Sequence, residues 1–200
     1  MRSERGLSVA ENKDTGFRVI TSVIKPAFKM HFSPTIIGSE NIPKDGAMVI
    51  AGNHKNIRDQ FLVFLATDRV INYMAKREYF DGALAPLFKW AGCIPVNRDG
   101  FDTAAVRSAI KILKRGGAVG IFPEGTRNRT DKSLLAFKPG AAAIAKRGNA
   151  QIVPFAISGE YRKNGNLKIL FGEPFSPKSM SVEEATDKLF NAVSDLLNSQ

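Results

Sequence analysis

A single cysteine, Cys93, stands in a chain of 200 residues, which excludes an intramolecular disulfide. Its surroundings, Trp90-Ala-Gly-Cys-Ile-Pro95, are apolar and read as core rather than as a reactive thiol. No uninterrupted apolar run reaches the roughly 18 residues that a membrane-spanning helix needs. The first ten residues, Met1-Arg-Ser-Glu-Arg-Gly-Leu-Ser-Val-Ala10, are too polar for a secretory signal. These absences point to the cytoplasm or to a membrane surface. The chain also lacks G-x-x-x-x-G-K-[ST], G-x-S-x-G and H-E-x-x-H, so a P-loop, a nucleophile elbow and a zinc-protease helix are not expected. No side-chain cluster has the spacing of a metal site, and no zinc-finger or RNP-like aromatic block supports nucleic-acid binding.

What is present is a globular composition with a surplus of positive charge. Apolar residues make up 44% and charged residues 24%, enough for one domain with a real core. The formal net charge is +10, which favours an anionic partner: nucleic acid, an anionic membrane surface or a phosphorylated substrate. Charge alone does not choose among these, and a basic domain without a charge-driven partner fits it too.

Apolar and polar runs alternate in a way that argues for an α/β fold. Strands are expected at Thr35–Ile37, Ala47–Ile50, Ile71–Met74, Cys93–Val96, Ala118–Phe122, Ile152–Ile157 and Leu167–Leu170. Helices are expected at 57–67, 83–90, 102–115, 139–147 and 181–198. The alternation predicts a single domain over 34–200, with a central mixed, mostly parallel sheet flanked by helices. Residues 1–33 precede it as an amphipathic helical segment. Within them Phe17, Ile20, Ile24 and Phe28 recur at helical spacing, and Pro26 is expected to kink or restart the helix. Two readings compete here: a helix packed on the domain, or one lying in a membrane interface with Arg18, Lys25 and Lys29 near lipid phosphates. Arg115-Gly-Gly117 and Arg147-Gly148 read as helix ends closed by a left-handed glycine. Gly116, Gly117 and Gly120 lie between a helix and a strand, the wrong order for a dinucleotide loop.

Histidine is scarce, with two in the chain, and His54 lies five residues before Asp59. A histidine oriented by a carboxylate is a general base. On a continuous helix the two side chains would diverge by about 140°. They meet if His54 sits in a strand-to-helix turn and Asp59 in the first turn of the helix. Asn56 as N-cap would make Asp59 its N3 residue. The alternative is a capping acid beside an ordinary loop histidine.

A second cluster, Phe122-Pro-Glu-Gly-Thr-Arg127, follows another expected strand. In a parallel sheet both clusters fall at carboxyl ends of strands, where ligands bind. Arg127 carries the planar fork suited to phosphate, and Gly125 permits close backbone approach. A surface Glu–Arg pair in a charged loop is the alternative. Asn97 and Arg98 close a third segment, Ile94-Pro-Val-Asn-Arg-Asp99, and Val153-Pro-Phe-Ala-Ile157 reads as a core strand.

Asn53-His54 through Asp59, Asn97-Arg98, Phe122–Arg127 and the Val153-Pro154 strand occur in order between about residues 51 and 157. Together they resemble the four blocks of the glycerolipid acyltransferase family, specifically the 1-acylglycerol-3-phosphate acyltransferases. The resemblance spans residues 35–175. It implies acyl transfer from a thioester, acyl-ACP or acyl-CoA, to the sn-2 hydroxyl of 1-acylglycerol-3-phosphate, giving phosphatidic acid without a cofactor or metal. By resemblance His54 is the base and Asp59 its orienting acid. Glu124, Gly125, Thr126 and Arg127 match the acceptor-binding block, and Asn97 and Arg98 the segment that holds glycerol phosphate. Lys76 resembles a basic residue between the first two blocks. Asn128 and Asn97 depart from the Ser and Asp common there, which bears on acceptor preference rather than on reaction class.

The resemblance also implies a protein at the cytoplasmic face of the membrane, peripheral or monotopic. Its expected partners are lysophosphatidic acid, the acyl thioester, anionic lipid and, where the donor is acyl-ACP, acyl carrier protein. The apolar stretch Phe80–Trp90 is expected on the same face, along an acyl tunnel or in the core. Alternatives are a related acceptor (glycerol-3-phosphate, another lysophospholipid or an acylated amino acid), a nucleic-acid-binding domain and an inactive lipid-surface adaptor.

Overall fold

Seven apolar runs become strands in the computed structural model, which describes residues 19, 21–83, 85–97, 100 and 102–199. They are β1 (Thr35–Ile37), β2 (Met48–Gly52), β3 (Ile71–Lys76), β4 (Ile94–Val96), β5 (Ala118–Ile121), β6 (Gln151–Ser158) and β7 (Lys168–Phe171). The helices are α1 (21–32), α2 (Asp59–Ala66), α3 (Ala85–Trp90), α4 (Thr103–Leu113), α5 (Gly140–Gly148) and α6 (Val182–Asn198). The fold is α/β with a mixed, mostly parallel sheet, as the alternation of runs predicted.

The sheet order is β1-β7-β6-β2-β5-β3-β4. Strands β4, β3, β5, β2 and β6 all run parallel. Strand β7 turns back against β6, and β1 runs beside β7. The carboxyl ends of five strands therefore open on one edge of the sheet.

Both faces of the sheet are covered, which is why its central strands read as continuous apolar runs. Every residue of β2 is buried. Its side chains alternate between layers: Val49 and Ala51 pack with α4, α5 and α6, and Met48 and Ile50 pack with α1 and α2. The first layer is built from small residues, among them Ala105, Ala109, Ala141, Ala142 and Ala145, which bring helices close to the strands. The second is aromatic, with Phe28, Phe64, Tyr73, Phe155 and Phe171.

Two local expectations need correction. Helix α1 runs through Pro26 rather than restarting there. Pro26 lies on its exposed side, where the carbonyl freed by the missing N–H is open to water. At the end of α5 the left-handed residue is Asn149 (φ 49°), not Gly148, which stays helical. Gly148 is needed for another reason: a Cβ there would lie 2.5 Å from the Leu113 side chain of α4. Gly116, at φ 77°, closes α4 as expected.

Candidate active site

Strand β2 ends at Gly52, which pairs with Phe155 of β6. A Cβ at Gly52 would stand 2.1 Å from the Phe155 carbonyl oxygen, so the chain can leave the sheet this closely only as glycine. The next residue, Asn53, is buried and makes a reciprocal pair with β6. Its amide donates to the Ile157 carbonyl (2.9 Å), and the Ile157 N–H donates to its Oδ1 (2.7 Å). The turn is thereby pinned before His54 is reached.

His54 is held on all sides. Its N–H donates to Glu124 Oε1 (2.6 Å), and its carbonyl accepts from the Asn128 N–H (2.7 Å). Its ring stacks on Phe122, with centroids 3.9 Å apart at 11°. Nδ1 lies 2.8 Å from Asp59 Oδ2. An ionised carboxylate only accepts, so Nδ1 carries the proton and Nε2 is left basic. The two side chains meet across a strand-to-helix turn, as the spacing required.

Asp59 is fully buried. Besides the imidazole, its Oδ2 accepts from the amides of Lys55 (2.7 Å) and Asn56 (2.8 Å), and its Oδ1 accepts from the Tyr161 hydroxyl (2.5 Å). It opens α2 instead of occupying N3 behind an Asn56 cap. Asn56 closes the preceding turn, its Oδ1 accepting from the Arg58 N–H (3.1 Å). The bond from the Asn56 N–H to Asp59 is the one a capping-box acid makes, although the regular helix begins only at Asp59.

Glu124 bridges two loops, since its other oxygen accepts from the Leu135 N–H (3.0 Å). Burial raises its carboxyl above the usual range, opposed by the two backbone N–H bonds from His54 and Leu135. Both of its oxygens are therefore taken by protein amides. Gly125 adopts φ 71°, and a Cβ there would meet the Lys138 side chain at 2.9 Å. Thr126 is exposed and Arg127 half-buried, one residue before the amide that binds the His54 carbonyl.

Lys76 ends β3 and pairs with Glu78 at 2.5 Å. The Asn97 N–H, just past β4, donates to Asp102 Oδ2 (2.9 Å), and Asp102 caps α4. This bond is the first cause holding the Asp102 carboxyl below its ordinary range. Arg98 lies outside the described residues. His54, Asp59 and Glu124 are thus joined by direct bonds, and Lys76 and Asn97 stand at the ends of other strands on the same edge.

Cys93 precedes β4 at the opposite edge, and burial pushes its thiol up to about 11, which leaves it a poor nucleophile. A groove at that edge passes Arg69, Lys111 and Arg115, far from the strand ends that carry His54. The Arg69 guanidinium there is committed to the carbonyls of Pro43, Asp45, Gly46 and Gly116.

Sequence reasoning missed three contributors. Asn53 stood inside the quoted block without a role. Phe122 read as the end of a strand. Tyr161, in Glu160-Tyr-Arg-Lys163, had no signal at all, because its partner is 102 positions away.

A family profile described as "Acyltransferase" matches residues 33–158. The 1-acyl-sn-glycerol-3-phosphate acyltransferase of Bacillus subtilis (strain 168) is 31% identical over 189 residues, covering 91% of this chain and 93% of its own. That of Borreliella burgdorferi is 33% identical over 125 residues, covering 61% of this chain and 50% of its own. The crystal structure of the 1-acyl-sn-glycerophosphate acyltransferase of Thermotoga maritima superposes with a TM-score of 0.71 at 26% identity. The match covers 99% of this chain and 83% of that one.

Asn53→Ala should destabilise the protein by about 3 kcal/mol in urea unfolding, because it strands the buried Ile157 N–H and carbonyl. A change below about 0.5 kcal/mol would show that the pair does not pin the turn.

Proposed function

The chain belongs to the acyltransferase family of the 1-acyl-sn-glycerol-3-phosphate acyltransferases, and we propose that it moves a fatty acyl group from a thioester to the sn-2 hydroxyl of 1-acylglycerol-3-phosphate, giving phosphatidic acid. The observation that carries this reading is the buried His54–Asp59 pair, 2.8 Å apart at the carboxyl edge and bonded through Glu124 to the 122–128 loop.

Asp59 holds the Nδ1 proton of His54, so Nε2 accepts the proton of the sn-2 hydroxyl. The alcohol oxygen attacks the thioester carbonyl carbon as that proton leaves. The tetrahedral intermediate collapses, the carbon–sulfur bond breaks, and the departing thiolate takes the proton back from the imidazolium. No covalent acyl-enzyme is required. Stacking on Phe122 fixes the ring plane, and the backbone bonds to Glu124 and Asn128 fix its position.

Arg127, Lys76 and the Asn97–Arg98 segment bind the acceptor phosphate and glycerol in this reading. Arg127 supplies a bidentate fork beside the His54 loop, and Lys76 a point charge at the end of β3. Gly125 and Thr126 shape the acceptor loop, and Glu124 acts by holding that loop to His54. The donor is acyl carrier protein or coenzyme A charged with the acyl chain.

The protein works at the cytoplasmic face of a membrane, because the acceptor lives in a bilayer. No described helix is long and apolar enough to cross one. Helix α1 nonetheless has two apolar faces. Ile24, Phe28 and Phe32 pack on the domain, and Val23 and Met30 form an outward stripe, with Met30 82% exposed. The stripe lies in the interface, and the +10 charge favours anionic lipid.

His54→Ala should lower kcat about 10²- to 10⁴-fold with the fold intact; near-normal turnover would refute the base assignment. Arg127→Ala should raise the acceptor KM about tenfold with kcat largely kept, and an unchanged KM would remove Arg127 from the phosphate site. Replacing Val23 and Met30 together by Ser should weaken sedimentation with phosphatidylglycerol vesicles. Equal sedimentation would place the membrane contact elsewhere.

A further inference from the structure

Asp59 receives three of its donors from its own turn: the His54 ring and the amides of Lys55 and Asn56, all on Oδ2. Its Oδ1 is bonded by the Tyr161 hydroxyl, from the loop that follows β6. Without that hydroxyl, Oδ1 would be a buried charged acceptor lacking this donor. Burial, and then the charge and hydrogen bond of Asp59, raise the Tyr161 hydroxyl far above the ordinary phenol, so it keeps its proton and remains a donor. The ring is fixed in turn by α1. Phe28 and Phe32 meet it edge-on, at 6.3 Å and 5.8 Å between centroids.

We propose that Tyr161 is a positioning residue for the His54–Asp59 pair, orienting the carboxylate, drawing off part of its charge, and being held in place by the Phe28–Phe32 face of α1. The proposal rests on His54 being the base. A buried tyrosine seeking only a partner could use any backbone carbonyl. This one closes the second oxygen of the carboxylate that orients the imidazole, and joins it to the helix that carries the outward apolar stripe.

The chemical consequence follows from sharing one carboxylate between two donors. When Tyr161 donates to Oδ1, less charge is available to hold a proton on the imidazole. Removing the hydroxyl makes Asp59 a stronger acceptor toward His54 and favours the protonated ring. The neutral base is then present only at higher pH. The other titratable and charged groups facing the pair are Glu124 after β5, Tyr73 from β3, and Arg58 and Lys55 from the turn into α2. All of them stay in place in the test.

Tyr161→Phe keeps the ring and its contacts and deletes the hydroxyl alone. At pH 7 kcat should fall about tenfold with the acceptor KM within about twofold. The acid limb of the kcat profile should move to higher pH, so that the deficit shrinks in alkaline buffer. An unchanged kcat, or a loss equal at every pH, overturns the proposal. A second readout needs no substrate. The chain has two histidines, so the Nδ1 proton resonance of His54 is assigned by comparison with His31→Gln. It should move downfield in Tyr161→Phe and by a smaller amount in Phe32→Leu. An unmoved resonance in Tyr161→Phe overturns the positioning role, and an unmoved one in Phe32→Leu overturns the link to α1. If the wild-type enzyme fails to acylate 1-acylglycerol-3-phosphate, the functional reading falls while the resonance still tests the geometry.

Discussion

The carboxylate of Asp59 is the group on which the site depends. A fully buried ionised carboxylate is costly unless its oxygens are satisfied. Four donors do this: one imidazole, two turn amides and one phenol. Meeting them dictates the local structure. Two consecutive amides point at one oxygen only if the chain turns at Lys55–Asn56, and the imidazole reaches that oxygen only if His54 precedes the turn. The helix then begins at Asp59 itself. The charge that holds the imidazole is thus also the charge that organises the backbone around it.

That turn needs a rigid place to stand, and the sheet supplies it. Strand β2 is central and wholly buried, and parallel neighbours lie on both sides. Because five strands run parallel, Lys76 at the end of its strand and His54, Asn97, Glu124 and Tyr161 just beyond theirs all stand at carboxyl ends on one edge. The reversal at β7 extends the sheet without adding to that edge. Asn53 ties β2's exit to β6, and Glu124 ties it to the loop after β5, so His54 is referenced to both neighbouring strands.

Helix α1 connects this rigid centre to the outside. One face completes the aromatic layer through Phe28, whose ring meets Phe61 of α2 at 5.9 Å and Tyr161 at 6.3 Å. The opposite face leaves Val23 and Met30 in solvent. Lys25 pins the helix to the end of α2 through Asp68 (2.7 Å) and the Thr67 carbonyl (3.1 Å). Helix α1 is thus apolar both on the side that meets the core and on the side left exposed.

Sequence alone determined the features that depend on neighbours along the chain. Apolar runs and their spacing located the strands within a residue or two and predicted the mostly parallel α/β sheet. His-x4-Asp and Phe-Pro-Glu-Gly-Thr-Arg carried the family resemblance. The requirement that His54 and Asp59 meet across a turn followed from helix geometry. Tertiary structure decided whatever depends on partners far apart in sequence. It turned Glu124 inward to clamp the His54 loop, made Asn53 a fastening to β6, and gave the Ile24–Phe28 face of α1 to the core and the Val23–Met30 face to solvent. It also brought Tyr161 to the second oxygen of Asp59. The three hydrogen-bonded contacts have no local signal, because a bond across 70 to 104 residues leaves no period or spacing in the chain; only the packing of β2 against β5 and β6 brings the partners together.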